Sequence, residues 1–239
     1  DLHSFPTRRS SDLAIKESYG VGDFGDLRRL VDWCVATGMK SIQLLPVNDT
    51  TCSGHWSDSY PYNIVSVFAL HPHYLDLEAL GVLKSKAKMT AYHRQRQELN
   101  ALSYSDYEAV DRVKRAYVEE IFNERGQQTL DSKEFKSWFA ENMEWLESYA
   151  KWVSTKADYS STSIIYYVQY HLHLQLKSTA DYARSKGIFL KGDVHVSVPI
   201  GMPKREVEAF IEQHRNWIVE ARKKIARSEE RFSRNAETD

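Results

Sequence analysis

The stretch DFGDLRRLVDWCVATGMKSIQLLPVND, Asp23 to Asp49, decides the fold class. Leu27, Leu30, Val31 and Cys34 recur at i, i+3, i+4 and i+7, the spacing of one helix face. Asp26 falls in the first turn, where a carboxylate suits the positive end of the helix dipole. Gly38 follows the last periodic residue and is the candidate C-cap. Ser41 to Asp49 then spells a short strand ending in polar groups. The same order returns downstream. From about Ile165, Val168, Leu172 and Leu176 share a face, Ala180 and Ala183 continue it, Gly187 stops it, and IFLKGD (Ile188 to Asp193) is again a strand with a carboxylate tip. Helix, glycine, buried strand and polar tip, twice over, define an α/β chain of the parallel-sheet class.

Between the two copies, Tyr107 to Phe122 and Lys133 to Tyr149 carry helical periodicity rich in aromatics, among them Tyr117, Phe135, Trp138 and Trp145. Such a stretch is too long for a βα loop and predicts a helical insertion over about residues 85–160. Outward from these units the texture changes. Residues 1–13 (DLHSFPTRRSSDL) have no helical or strand period, so a disordered leader is expected. They also resemble the conceptual translation of a sequencing adapter, and are set aside from fold reasoning. At the other end, His195 to Ile200 alternates with period two. A charged helix follows from Pro203, with Val207, Phe210, Ile211, Trp217 and Ile218 on one face, so residues 194–239 form a strand-helix tail.

Bulk properties narrow the functional classes. A chain that is 42% hydrophobic and 27% charged folds rather than stays disordered. With 32 basic against 33 acidic residues, no net field steers it to nucleic acid or membranes. Cys34 and Cys52, the only cysteines, make neither a disulfide framework nor a CxxC site, and a reducing cytoplasm is expected. No apolar run is long enough to span a bilayer, and without a charged-then-apolar stretch no secretory leader is expected. The 12% aromatic content suits sugar stacking and core packing equally.

Gly20-Val-Gly-Asp-Phe-Gly25 is a literal GxGxxG before a helix, with Asp49 a possible ribose acid, so an NAD-dependent oxidoreductase is a competing reading. Asp23 and Asp26 oppose it by placing negative charge where a pyrophosphate would sit. The preceding Ala14 to Tyr19 is also too polar for a central parallel strand. The pairs His71/His73 and His171/His173 suggest metal ligands. Residues two apart on a helix, however, point about 200° apart, and packing or surface roles are expected for all four. No HExxH or GxSxG occurs. The segment WSDSYPYN, Trp56 to Asn63, combines hydroxyls, an amide, a carboxylate and aromatic faces beside a proline-stiffened turn. That mixture serves a sugar site or a packed aromatic loop.

Five blocks, in order, resemble the amylomaltase or disproportionating-enzyme family of 4-α-glucanotransferases: Tyr19 to Asp26, Ile42 to Asp49, Asp58 to Tyr62 with Ser66 to Pro72, Gln169 to Gln175, and Leu190 to Asp193. The long central insert looks like the branch found in bacteria and plant cytosol. The resemblance implies an incomplete (β/α)8 TIM barrel with a helical insertion over residues 14–193, with Ile42 to Pro46 and Ile188 to Lys191 as barrel strands. Asn48, Asp49 and Asp193 would then lie on the C-terminal face that carries the chemistry. Tyr62 would line the subsite of the reacting glucose, with Ser59 and Asp58 supporting its loop. The substrates implied are maltose, maltodextrin or glycogen- and starch-type glucans, with no cofactor and no metal.

The reaction implied is retaining transfer of α-1,4-glucan segments. The family's catalytic carboxylates lie in motifs beyond the Lys191-Gly-Asp193 block, and none of those motifs occurs in this sequence. The chain alone is therefore expected to be inactive; a diverged non-catalytic glucan-binding fragment is the alternative. The tail from His195 through Trp217-Ile218 resembles the small module that precedes an HExxH metal site in a family of bacterial zinc metallohydrolases. A misassembled gene, joined near Lys191 to Asp193, would account for both resemblances, and divergence after the strand is the other account.

Overall fold

Helix α1, Phe24–Ala36, starts on a reciprocal capping box. The Asp23 carboxylate accepts from the amides of Gly25 (2.9 Å) and Asp26 (3.1 Å), and Asp26 Oδ2 accepts from the Asp23 amide at 3.1 Å. It ends before Gly38, whose φ of 74° is the left-handed conformation expected there. Leu27, Val31 and Cys34 are buried and Leu30 packs beside them, as the periodicity predicts. Strand β1, Ser41–Leu44, pairs in parallel with β2, Phe189–Gly192, in the register Ile42 opposite Leu190. Residues 18–157 and 159–192 of this computed structural model are described, and all lie in the first of two units of the chain, Asp1–His195. The expected leader, the site residue Asp193 and the tail from 194 onward fall outside the described residues.

Three helices fill the span between the strands before the last helix begins: α2, Lys86–Asn100, α3, Tyr107–Asp131, and α4, Lys133–Val153. Their starts are legible chemically. Ser85, Asp106 and Ser132 each accept a backbone N–H of the first turn through their side chains. Ser132 also divides α3 from α4, with its hydroxyl donating to Thr129 O at 2.7 Å and accepting from Phe135 N at 3.1 Å.

Helix α5, Thr162–Ser185, packs against α1, α3 and α4. It is buried on two sides rather than one. Ile164, Tyr167, Val168 and Leu172 join Leu27, Val31, Val110 and Ile121 in the larger core, whereas Ile165 and Tyr170 join Phe135, Trp138, Leu146 and Val153 in a second. A single stripe with Ile165, Val168 and Leu172 together is thus only half of its burial: α4 covers a second face. Two glutamines of α5 act as a substitute strand. Gln169 accepts from Leu70 N at 2.9 Å and donates to Leu70 O at 2.8 Å; Gln175 does the same to Asp76, at 2.9 Å each way. Backbone that has no ladder is satisfied by side-chain amides.

Candidate functional site

A loop leaves β1 and returns as a pinched ring. Asn48 and Leu70 form an antiparallel bridge, Asp49 N donates to Ala69 O at 2.9 Å, and His71 N donates to Val47 O at 3.0 Å. Within it, Asp58 is the organising group. It is 4% exposed and accepts from the amides of Cys52 (2.9 Å), Ser53 (2.8 Å) and Gly54 (2.7 Å), and from Ser53 Oγ (2.9 Å). Burial pulls its carboxyl upward, but those donors outweigh it and hold Asp58 below the usual carboxylate range. The short 3-10 turn Trp56–Ser59 is thereby fixed from inside. On its outside, Trp56 is 72% and Tyr60 55% exposed, and Tyr62 is half-buried with its ring 5.6 Å from that of Tyr60. Ser59 is half-buried in the same turn. Val67 and Phe68, also exposed, continue the apolar surface, with Phe68 stacked 5.7 Å from Trp145 of α4. Asn48 Nδ2 donates to Val67 O at 2.9 Å and so holds that rim.

Asp49 faces the other way. It is 1% exposed, its Oδ2 accepts from Tyr149 OH of α4 at 2.7 Å, and its Oδ1 accepts from Thr51 N at 3.0 Å. Burial raises its pKa, against the pull of those two donors. Behind it lies a cavity of about 20 Å³, lined by Asp49, Asp111, Arg115, Tyr149 and Gln169 among others. That is room for about one water. Of the six residues expected at the site, the structure brings Tyr62, Ser59 and Asp58 into one turn and places Asn48 at the rim. Asp49 anchors the loop to α4, and Asp193 lies outside the described residues. Neither Asp49 nor Asp58 offers an open carboxylate to a reacting atom.

Sequence reasoning missed the residues that hold this loop from afar. Glu108 of α3 accepts the Trp56 amide at 2.9 Å across 52 positions, and Tyr149 reaches Asp49 across 100. No local spacing signals such pairs. His71 and His73 are buried packing groups: their rings lie 6.0 and 4.4 Å from that of Tyr107, whose OH is 3.0 Å from His71 Nε2. The second pair diverges as the helix period requires, with His171 against Tyr167 and His173 against Trp138. Among the described residues no group of three or more His, Cys, Asp or Glu could hold a metal, and no helix is long and apolar enough to cross a membrane. Two glycines of the GxGxxG stretch, Gly20 and Gly25, sit at close packing contacts. Gly20 has a φ of 75° with Leu99 Cβ 3.0 Å from where its own Cβ would stand, and a Cβ on Gly25 would meet Asp76 Oδ2 at 2.6 Å. With the Asp23 carboxylate already on the Gly25 and Asp26 amides, this helix end is built against a pyrophosphate.

Comparison with known proteins agrees with the first three of the five blocks; Gln169 to Gln175 lies beyond the first family match, and Leu190 to Asp193 falls within the second. Residues 11–164 match the family described as 4-alpha-glucanotransferase, and residues 184–239 match the family described as YgjP-like, metallopeptidase domain. The chain is similar to 4-alpha-glucanotransferase DPE2 of Oryza sativa subsp. japonica, at 36% identity over 82% of this chain and 23% of the rice protein. It is similar to the 4-alpha-glucanotransferase of Chlamydia trachomatis at 28% identity, over 84% of this chain and 42% of that protein. In fold it resembles the amylomaltase of Streptococcus agalactiae solved in complex with acarbose (TM-score 0.56, 20% identity, 74% of this chain and 40% of that one). It also resembles the Corynebacterium glutamicum amylomaltase (TM-score 0.59, 18% identity, 81% and 30%). The chain thus spans less than half the length of these relatives.

Proposed function

The chain belongs to the 4-alpha-glucanotransferase family, and from that premise we propose that it carries part of the glucan-binding face of an enzyme that moves α-1,4-glucan segments between maltodextrins. The observation that carries the reading is the turn at Trp56 to Tyr62. Aromatic faces stand outward there, and four hydrogen bonds to one buried carboxylate hold them from behind. Flat rings beside hydroxyl and amide groups match the alternating apolar faces and hydroxyl edges of glucose units. Tyr62 takes the place beside the reacting glucose, Ser59 and Asp58 shape its turn, and Asn48 and Asp49 fix the rim and the anchor. Asp193 would lie at the tip of β2. The substrates are maltose, maltodextrin or glycogen- and starch-type glucans, and a cytoplasmic location belongs to the same reading. We assign β1 and β2 to an incomplete (β/α)8 barrel, a reading supported by the likeness to the amylomaltases.

In the transfer, one carboxylate attacks the anomeric carbon of the donor while the departing sugar oxygen takes a proton from a second. The acceptor hydroxyl then displaces the first carboxylate and returns its proton to the second. We assign these two acids to no described residue, since Asp49 and Asp58 are both engaged in holding the loop. No step is assigned to the metallopeptidase-like tail either. The sequence given holds no HExxH. The test is a chimera in which residues 14–192 replace the matching part of an amylomaltase. With maltose it should yield free glucose together with longer oligosaccharides. Glucose alone would mark a hydrolase, and a folded chimera that leaves maltose unchanged would overturn the assignment.

A further inference from the structure

Helix α3 begins against the aromatic turn and holds it at two places. At the apex, the Trp56 amide donates to Glu108 Oε1 at 2.9 Å, and the same oxygen lies 3.8 Å from His55 Nδ1. At the return of the loop, Tyr107, the neighbouring residue on α3, places its hydroxyl 3.0 Å from His71 Nε2. Within the turn, Asp58 accepts from the amides of residues 52–54 and Thr50 donates to the Asp58 carbonyl. Asp58 thus sets the shape of the turn, and Glu108 ties that shape to α3.

We infer that Glu108 is a positioning residue, which fixes the Trp56–Tyr62 turn on the body of the protein so that its aromatic faces are preformed for a glucan chain. The inference rests on the glucan-binding reading of that turn. A carboxylate is suited to the task because it accepts an amide N–H more strongly than a neutral oxygen and adds attraction to His55 when that ring is protonated. A turn fixed before the sugar arrives spares the ordering cost that a mobile one would incur on binding. Helix α3 thereby reaches the aromatic turn itself through Glu108. This contact gives the helical insertion a direct hold on glucan affinity.

The experiment uses the full chain with Glu108→Ala and Glu108→Gln, followed by hydrogen exchange of the Trp56 amide and by maltoheptaose titration. Gln keeps a carbonyl oxygen in the place of Oε1, so it should rescue what Ala loses. In Glu108→Ala, Trp56 amide exchange should rise about tenfold while the amides of Ile121 and Leu146, in the two cores, keep their wild-type protection. Maltoheptaose should bind roughly three- to tenfold more weakly to that variant, and within about twofold of wild type to Glu108→Gln. Unchanged Trp56 exchange in Glu108→Ala would overturn the clamp, whatever happens to the sugar. Faster exchange with unaltered maltoheptaose affinity would overturn the positioning role yet leave the glucan reading standing. A wild-type chain that binds no maltoheptaose would overturn both.

Discussion

Tyr62 and Tyr104 are a matched pair of surface-accessible tyrosines in very different settings. Tyr62 packs against Tyr60 on the turn organised by Asp58, whereas Tyr104 is 66% exposed in the connection between α2 and α3. In the chimera, Tyr62→Ala should lower kcat/KM by about tenfold or more, with part of the loss in kcat. Tyr104→Ala should stay within about twofold, since substitutions away from packed or binding features change little. Steady-state transfer from maltotriose measures both, and equal small losses would remove Tyr62 from the site. At this scale the sequence was legible where chemistry is local. The first-turn Asp26, the terminating Gly38 and the crowded hydroxyl–aromatic turn can all be read from neighbours within a few positions. The inward turn of Asp49 could not be, because what draws its carboxylate away from the strand tip is Tyr149, a hundred residues on.

Elements α1 and α3 are joined by a buried cation. Lys114 is 3% exposed, donates to His73 O at 2.6 Å and Leu75 O at 2.8 Å, and lies 3.8 Å from Asp23 Oδ2. Burial raises Asp23 to about 7 despite Lys114, with Asp26 and Asp76 adding to the rise. A carboxyl with its folded pKa above its unfolded value of about 4 is favoured in the fold while protonated. Its contribution is therefore complete below about pH 4 and is lost as pH rises through about 7. Relative to Asp23→Asn, which keeps a capping oxygen but cannot ionise, the wild-type chain should lose up to about 2 kcal/mol of stability between pH 5 and 7. The buried His71 and His73 act with the opposite sign, since burial lowers their pKa and folding then favours the neutral ring as pH rises. Both proteins keep them, so the difference reports Asp23 together with its neighbour Asp26, which burial raises to about 6. Urea unfolding at three pH values measures it, and parallel stability curves would show that Asp23 is ionised in the fold throughout. Helices α1, α3, α4 and α5 were foreseeable from their period, whereas α2, in which only Leu99 is buried, carries no apolar face to read. The two-sided burial of α5 was not, because a period shows that a face is apolar but not how many neighbours will share the helix.

At the largest scale, the described residues carry the sequence's repeated helix–glycine–strand plan, with β1 and β2 side by side and parallel as two such units require. What the plan could not supply is the cover. Along β1, Ile42 and Leu44 are buried while Ser41 and Gln43 are exposed, so among the described residues only one face of the strand is packed. A parallel strand inside a closed barrel would be covered on both faces. The outer backbone edges of both strands are also unpaired within the described residues. Two parallel strands form a weak sheet by themselves, and open edges invite pairing with another chain. The helices supply two cores, but net stability of even a whole domain is only about 5–15 kcal/mol, and a half-covered sheet draws on that margin. The 239-residue chain expressed by itself should therefore self-associate, with sedimentation velocity showing mass above the 27.7 kDa monomer that grows with concentration. Gln43→Pro, which removes a backbone donor from the four-residue strand β1, should reduce that association if the edge is its route. A monodisperse monomer with one cooperative thermal transition would instead mean that the chain's own remaining residues cover the strands, and that the fold closes in a way the family's barrel does not.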